Sequence, residues 1–145
     1  MSVRVDVDVG GFLRWSRKEP GRAEEMRRLF QYRGSQMVLQ EMKRQAPERT
    51  GFLRATISTD FTPEGFTVYP GASYAPIVEG GSRPHEIMAR FAKALAFPWK
   101  GKLRFFKRVR HPGFPGRRFV ERTREIVEPK LFDLMRRLWR ELHGR

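Results

Sequence analysis

The sequence predicts an α+β fold: a small antiparallel sheet packed against a long helix in the amino-terminal half and a carboxy-terminal helix. Three observations predict it. Valines alternate with charged residues at the start of the chain. Two long stretches repeat apolar residues at three-and-four spacing, and the runs between them alternate and are bounded by Gly and Pro turns. At 145 residues the length fits one domain, residues 1–145, with one core.

In "SVRVDVDVG" the valines at 3, 5, 7 and 9 flank Arg4, Asp6 and Asp8. That period of two marks a half-buried strand ending at the Gly10-Gly11 turn. Phe12 to Lys18 is a short amphipathic piece. A helix then runs from Pro20 to Gln45, about 39 Å at 1.5 Å per residue. Proline is pre-set for a first turn, and Glu24 and Glu25 sit where the macrodipole favours acids. Ala23, Met26, Leu29, Phe30, Met37, Val38 and Met42 form its packing face. Gly34 is a weak spot within it, and Pro47 ends it.

"PERTGFLRATIS" turns at Thr50-Gly51 and starts a strand near Leu53. "EGFTVYPG" is its hairpin partner after the Pro63-Glu64-Gly65 turn. Tyr74 to Pro84 is a loop with one helical turn. "KALAFPWKGKLRFFKRV" holds two strand-like pieces around Lys100-Gly101, and "RHPGFPGRR" is rigid Pro-Gly loop. The last helix spans Phe119 to Leu142, with an apolar stripe that includes Val127, Leu131, Leu134 and Leu138. Pro129 splits or bends it.

Composition excludes several functions. There are no cysteines, so disulfides, thiolate metal sites and cysteine nucleophiles are out. No apolar run reaches the ~20 residues of a membrane span, and the start of the chain lacks a signal-peptide apolar core. The expectation is a soluble protein made in the cytoplasm, with no membrane contact. The net charge is +14 and uneven: residues 1–99 carry 15 basic and 11 acidic residues, residues 100–145 carry 15 and 5. Such asymmetry suits a polyanionic or acidic neighbour, or simply a solvated basic face.

Motifs for chemistry are sparse. His85, His111 and His143 are far apart and in no metal-ligand spacing. Adjacent His85 and Glu86 would point to opposite faces of a strand. No nucleophile elbow, dinucleotide fingerprint or P-loop is present. No catalytic, cofactor or metal residues are assigned. A small basic RNA-cleaving toxin is the alternative from another class, with Arg108, Arg110 and His111 as its groups. A general nucleic-acid-binding protein is a third. Trp99, Phe105 and Phe106 interleave with Lys100, Lys102 and Arg104, as on a single-strand stacking surface. A strand with one packed apolar face accounts for the same alternation and is the preferred reading.

Three ordered segments carry a resemblance. "APERTGFLRATIS", "VYPGASYAPIVEGGS" and "FFKRVRHPGFPGRRFVERT" resemble, in order, the P-x-x-T-G-x-L-R, Y-A-x-x-V-E-x-G and H-P-G segments of the tail-completion family of tailed bacteriophages, the minor tail components of lambdoid-type phages. The match covers roughly Ala46 to Thr123. This chain has Arg118-Phe119-Val120 where the family has Pro-Phe-Leu, and Arg122-Thr123 where it often has Pro-Ala. The resemblance implies a non-enzymatic virion protein at the head–tail junction. It would form a homo-oligomeric ring, expected to be a hexamer. Its partners would be portal, adaptor or stopper on one side and tail terminator or tail tube on the other, with genome DNA held non-specifically in the channel. No cofactor is implied.

The motif residues carried over are Thr50, Gly51, Leu53, Arg54, Tyr74, Glu79, Gly80, His111, Pro112, Gly113, Arg117, Arg118 and Phe119. Thr50-Gly51 is read as a structural turn, and Arg54 as an intersubunit ion-pair arm or a solvated strand residue. Tyr74 is a core anchor with its hydroxyl at the surface. Glu79 is a turn or interface carboxylate, accepting backbone N–H bonds or pairing with arginine, rather than an acid catalyst. His111-Pro112-Gly113 is rigid loop, and Arg117 and Arg118 are solvated loop cations.

Overall fold

A computed structural model of the chain describes residues 4–8 and 20–143. Val3, Val9, the Gly10-Gly11 turn and the Phe12–Lys18 piece lie outside the described residues. Strand β1 (Val5–Asp8) precedes helix α1 (Pro20–Gln45), a short helix α2 (Phe52–Ala55) and the hairpin β2 (Ile57–Thr62) and β3 (Gly65–Pro70). Helix α3 (Ala75–Gly80) leads into six short strands: β4 (Gly81–Ser82), β5 (His85–Met88), β6 (Leu95–Trp99), β7 (Lys102–Phe106), β8 (Arg108–His111) and β9 (Phe114–Pro115). Helix α4 (Phe119–His143) closes the chain. The class is α+β, with small antiparallel sheets against the long first helix and the carboxy-terminal helix.

The body of the molecule is α1, α4 and the sheet β1-β3-β2, antiparallel throughout. Alternation sends Val5, Phe66 and Val68 inward, where they meet Met26, Phe30, Val38 and Met42 of α1. Val127, Leu131, Leu134 and Leu138 of α4 complete the core, at three-and-four spacing. Gln31, buried on α1, donates through Nε2 to Thr62 O and Gly65 O, both at 2.9 Å, tying the β2–β3 turn to the helix.

Four details of this body differ from expectation. Gly34 is not a weak spot but a point of closest approach. A Cβ there would lie 3.2 Å from both Leu131 Cδ2 and the Phe66 ring, so the missing side chain lets sheet and α4 reach α1. The strand expected near Leu53 is instead a helical turn. Gly51 adopts φ 79°, Ala55 N–H donates to Gly51 O at 2.9 Å, and the strand waits for Ile57. Leu53 still reaches the core from that turn. Lastly, α4 is one helix, with Pro129 inside it rather than at a break. The proline is exposed, so the carbonyl it leaves unbonded faces solvent.

The fourth difference is the largest. The segment around Pro84 and the Pro-Gly stretch are not simply loops. Gly81 pairs with Pro115 and Ser82 with Phe114, and the same register resumes with His85 opposite His111 and Met88 opposite Arg108. Ala89 N–H then donates to Lys107 O at 3.2 Å. After a bulge at 90–94, Leu95 opposite Phe106 to Trp99 opposite Lys102 carries the pairing to the tip. The tip residues Lys100 and Gly101 have φ 49° and 75°, the left-handed pair a two-residue hairpin turn needs. Gly81 to Pro115 is thus one two-stranded ribbon, interrupted by five residues. Its outer strands β6 and β7 are mostly exposed on both faces.

Candidate functional site

The three resembling segments meet at the root of this ribbon. The second and third are joined through Glu79, which is 1% exposed. Its Oε2 accepts from Val120 N–H at 2.9 Å and its Oε1 from Glu121 N–H at 3.0 Å. Its own carbonyl accepts from Arg118 N–H at 3.1 Å. A helix start leaves its first amides without intrahelical partners and carries positive partial charge. A carboxylate is the strongest acceptor for both. The residue at the α4 N-cap position, Arg118, has no side-chain oxygen to do this, so Glu79 caps the helix from forty residues away. Of the two partners the sequence left open, backbone N–H groups and arginine, the carboxylate bonds the first, and both its oxygens are used in doing so.

Glycines make that approach possible. A Cβ on Gly116 would come within 2.2 Å of Glu79 O, and one on Gly113, at φ 77°, within 2.4 Å of Ser82 O. Gly80, singled out in the sequence, has open space where a Cβ would go; the constrained residue is its neighbour Gly81. The Gly-rich cluster therefore serves chain packing at the ribbon root.

Beside this cap lies a cleft of about 780 Å³. The first segment lines it with Thr50, Gly51 and Leu53, the second with Tyr74 and Val78, the third with Phe114, Pro115 and Arg117. Thr50 Oγ1 is 3.5 Å from Phe52 N, at the long limit of a hydrogen bond. Tyr74 is not a core anchor: it precedes α3, is partly exposed and packs its ring against Phe52 at 6.4 Å. Arg54 is not a strand residue, and its side chain is only partly solvated. It is half-buried on α2 and pairs with Glu48 at 2.8 Å within the same chain. Phe119 is fully buried and belongs to the core, not to an interface.

Arg118 is solvent-exposed, as expected of a loop cation, but it is also ion-paired. It adopts φ 50° and its guanidinium pairs with Glu121. That bond, with the Glu121 charge, pushes the Arg118 pKa further up and holds Glu121 below the usual carboxylate range. Arg117 is exposed as well; its backbone N–H donates to Val78 O at 2.8 Å.

The structure brings together His85 and His111, which the sequence kept apart. Their rings stack at 5.0 Å across the β5–β8 ladder. His111 Nδ1 accepts from Gly113 N–H at 3.0 Å, and His85 Nδ1 lies 2.9 Å from Arg83 O. Each ring thus fastens a turn through one nitrogen. Two rings stacked face to face cannot stand on opposite sides of one phosphate, the arrangement acid–base cleavage of RNA asks of a histidine pair. Exposed Pro112 completes the turn that follows His111. Among the described residues, no three His, Asp or Glu side chains gather where they could hold a metal ion. No described helix is long and apolar enough to cross a membrane.

Sequence reasoning missed one functional-looking feature and misjudged the packing of another. The first is Glu41, buried on α1, which accepts from Arg44 Nη2 and Gln45 Nε2 at 2.8 Å each. Burial works to raise its pKa, but those bonds and the Arg44 and Lys130 charges outweigh it and lower the value. The other is the outer ribbon. The packed apolar face expected for it is absent: Trp99, Leu103 and Phe105 are all exposed, on both sides of the hairpin. Gly81 to Pro115 carries nine basic residues and one acidic one, so the basic excess gathers on the ribbon rather than evenly over residues 100–145. No protein-family model, curated protein or solved structure matches the chain.

Proposed function

We propose that this protein is a structural, non-catalytic component of a tailed-bacteriophage neck, of the tail-completion type. It forms a ring, six copies by the symmetry of such junctions, between the DNA-filled head and the tail. One observation supports this most. The three segments that resemble the family, spread over Ala46 to Thr123, form one unit in which Glu79 of the second caps α4 of the third and all three line the same cleft. A shared motif set with a shared structural job is what a scaffold family keeps, whereas an enzyme family would keep converging nucleophile and base.

Within the ring the exposed cleft and the ribbon are the surfaces available to neighbours: copies of itself, portal-side proteins and tail-side proteins. The basic excess suits loose, sequence-independent attraction to the phosphates of genome DNA in the channel. The test is electron microscopy of intact particles carrying a labelled copy, with sedimentation of the purified protein. Label at the head–tail junction and a ring-sized species are the expected results. Label elsewhere in the particle, or in none, overturns the reading. The purified protein is expected not to hydrolyse RNA. Cleavage lost in His111→Ala would replace this reading with the RNA-cleaving toxin.

A further inference from the structure

The hairpin β6–β7 has two unlike faces. Its register places Leu95, Phe97 and Trp99 on the same side as Lys102, Arg104 and Phe106. Phe97 and Phe106 stack there with centroids 5.2 Å apart. Trp99 is 54% exposed and stands opposite Lys102, next to the tip residue Lys100. The opposite face, Ala96, Pro98, Leu103 and Phe105, has no charge at all.

We propose that the aromatic and cationic face is a binding site for single-stranded nucleic acid. Unpaired bases stack on Trp99 and Phe106, while Lys100, Lys102 and Arg104 hold the backbone phosphates. Three features favour this ligand. Apart from Leu95 at its base, the face offers rings and cations, the two groups a flexible polyanion with flat bases can use without sequence readout. Lys102 and Arg104 lie about 7 Å apart on β7 and Lys100 sits at the tip beside them, so a backbone with repeating charge can meet more than one of them. The whole ribbon contains one acidic side chain, Glu86, on a different ladder. Carboxylates of an acidic protein segment would satisfy the cations but would leave the face of the Trp99 ring unused. The site does not depend on the neck reading. Duplex DNA in a channel offers phosphates but no free base faces, so it would slide past.

The experiment is fluorescence anisotropy on the full chain, with labelled oligothymidylate and a labelled duplex of equal length over a range of salt. The single strand is expected to bind about tenfold or more tightly than the duplex. Trp99→Ala should weaken single-strand binding about tenfold while leaving the salt slope unchanged, and Trp99→Phe should restore most of it. Lys102→Glu with Arg104→Glu should flatten the slope. Thermal melting checks that these exposed substitutions leave the fold alone. Equal affinity for duplex and single strand, or indifference to Trp99→Ala, would overturn the stacking site and leave only a charged surface. Polyglutamate competing as well as the oligonucleotide would overturn it in favour of an acidic protein partner. Neither outcome bears on where the protein sits in particles.

Discussion

Phe66 and Phe105 are both strand phenylalanines, 1% and 67% exposed respectively. The first is pressed between α1 and α4 in a three-stranded sheet. The second lies on a two-stranded ribbon over which, among the described residues, no third strand is paired. An isolated hairpin is marginal in water because neither face is covered. This one is held by its root, where β4 and β9 pair and Glu79 fixes the neighbouring helix, and by the left-handed turn at its tip. The contrast separates residues that make the fold from residues that wait for a partner. The body fills its interior with apolar side chains, whereas the ribbon displays them beside cations.

The strongest way to test that division is to make the same kind of change in each region. Phe66→Ala should cost about 4 kcal/mol by denaturant unfolding, since the ring is enclosed and its neighbours can collapse only partly. Phe105→Ala should cost under about 0.5 kcal/mol in the same assay. If the two losses are similar, the ribbon is part of the core after all. Next comes the joint between the regions. Glu79→Ala leaves two amides at the α4 start unpartnered in a buried place, for about 3 kcal/mol. Glu79→Gln should cost less, because one amide oxygen can still accept. A melting temperature unchanged by Glu79→Ala would mean water replaces the carboxylate.

Smaller effects sharpen the boundary. Gly34→Val should destabilise by about 2 kcal/mol through overpacking against Phe66 and Leu131. Gly34→Ala should change stability by less than about 1 kcal/mol, because helix propensity offsets the squeeze. Arg117→Glu should leave melting unchanged, while Arg118→Glu should lower it, because only the second puts a carboxylate beside Glu121 and Glu79. The smallest effect lies on the solvent side of α1. The hydrogen bond from Arg27, then that from Arg28, lowers the Glu24 pKa to about 2. A carboxyl whose folded pKa is depressed adds stability above its ordinary pKa and loses it as pH falls toward 2. In Glu24→Gln the acid limb of a stability-versus-pH curve should therefore be shallower. Added salt should shrink the difference, since the pair is at the surface.

The body was largely legible in the sequence. The α1 limits follow from Pro20, Pro47 and a long three-and-four repeat, and the β2–β3 hairpin from alternation around a Pro-Glu-Gly turn. The ribbon was legible only at its tip, where Lys100-Gly101 sits between alternating runs. Its inner half pairs His85–Met88 with Arg108–His111, runs too short and too polar to show a strand period, across more than twenty residues. Counting charge on either side of Trp99 hid the basic cluster, because that cut passes through the hairpin. Glu79 was legible as a carboxylate bonded to backbone amides. Which amides it serves depends on a tertiary contact that no local pattern encodes. Gly34 misled for the same reason: helix propensity says weakness, and only the packed neighbours reveal contact.

The ribbon leaves the body at Ser82 and returns at Phe114, and these two residues stand opposite each other in the β4–β9 ladder. The 31 residues between them, Arg83 to Gly113, form a closed excursion whose ends already touch. Loop entropy grows only with the logarithm of length, so replacing them with a four-residue turn changes closure by about 2 kcal/mol, in favour of folding. The body therefore has little thermodynamic stake in what the excursion contains. Its length and surface can be altered, or exchanged for another sequence, while Glu79, Gly81 and Gly116 keep the doorway shut.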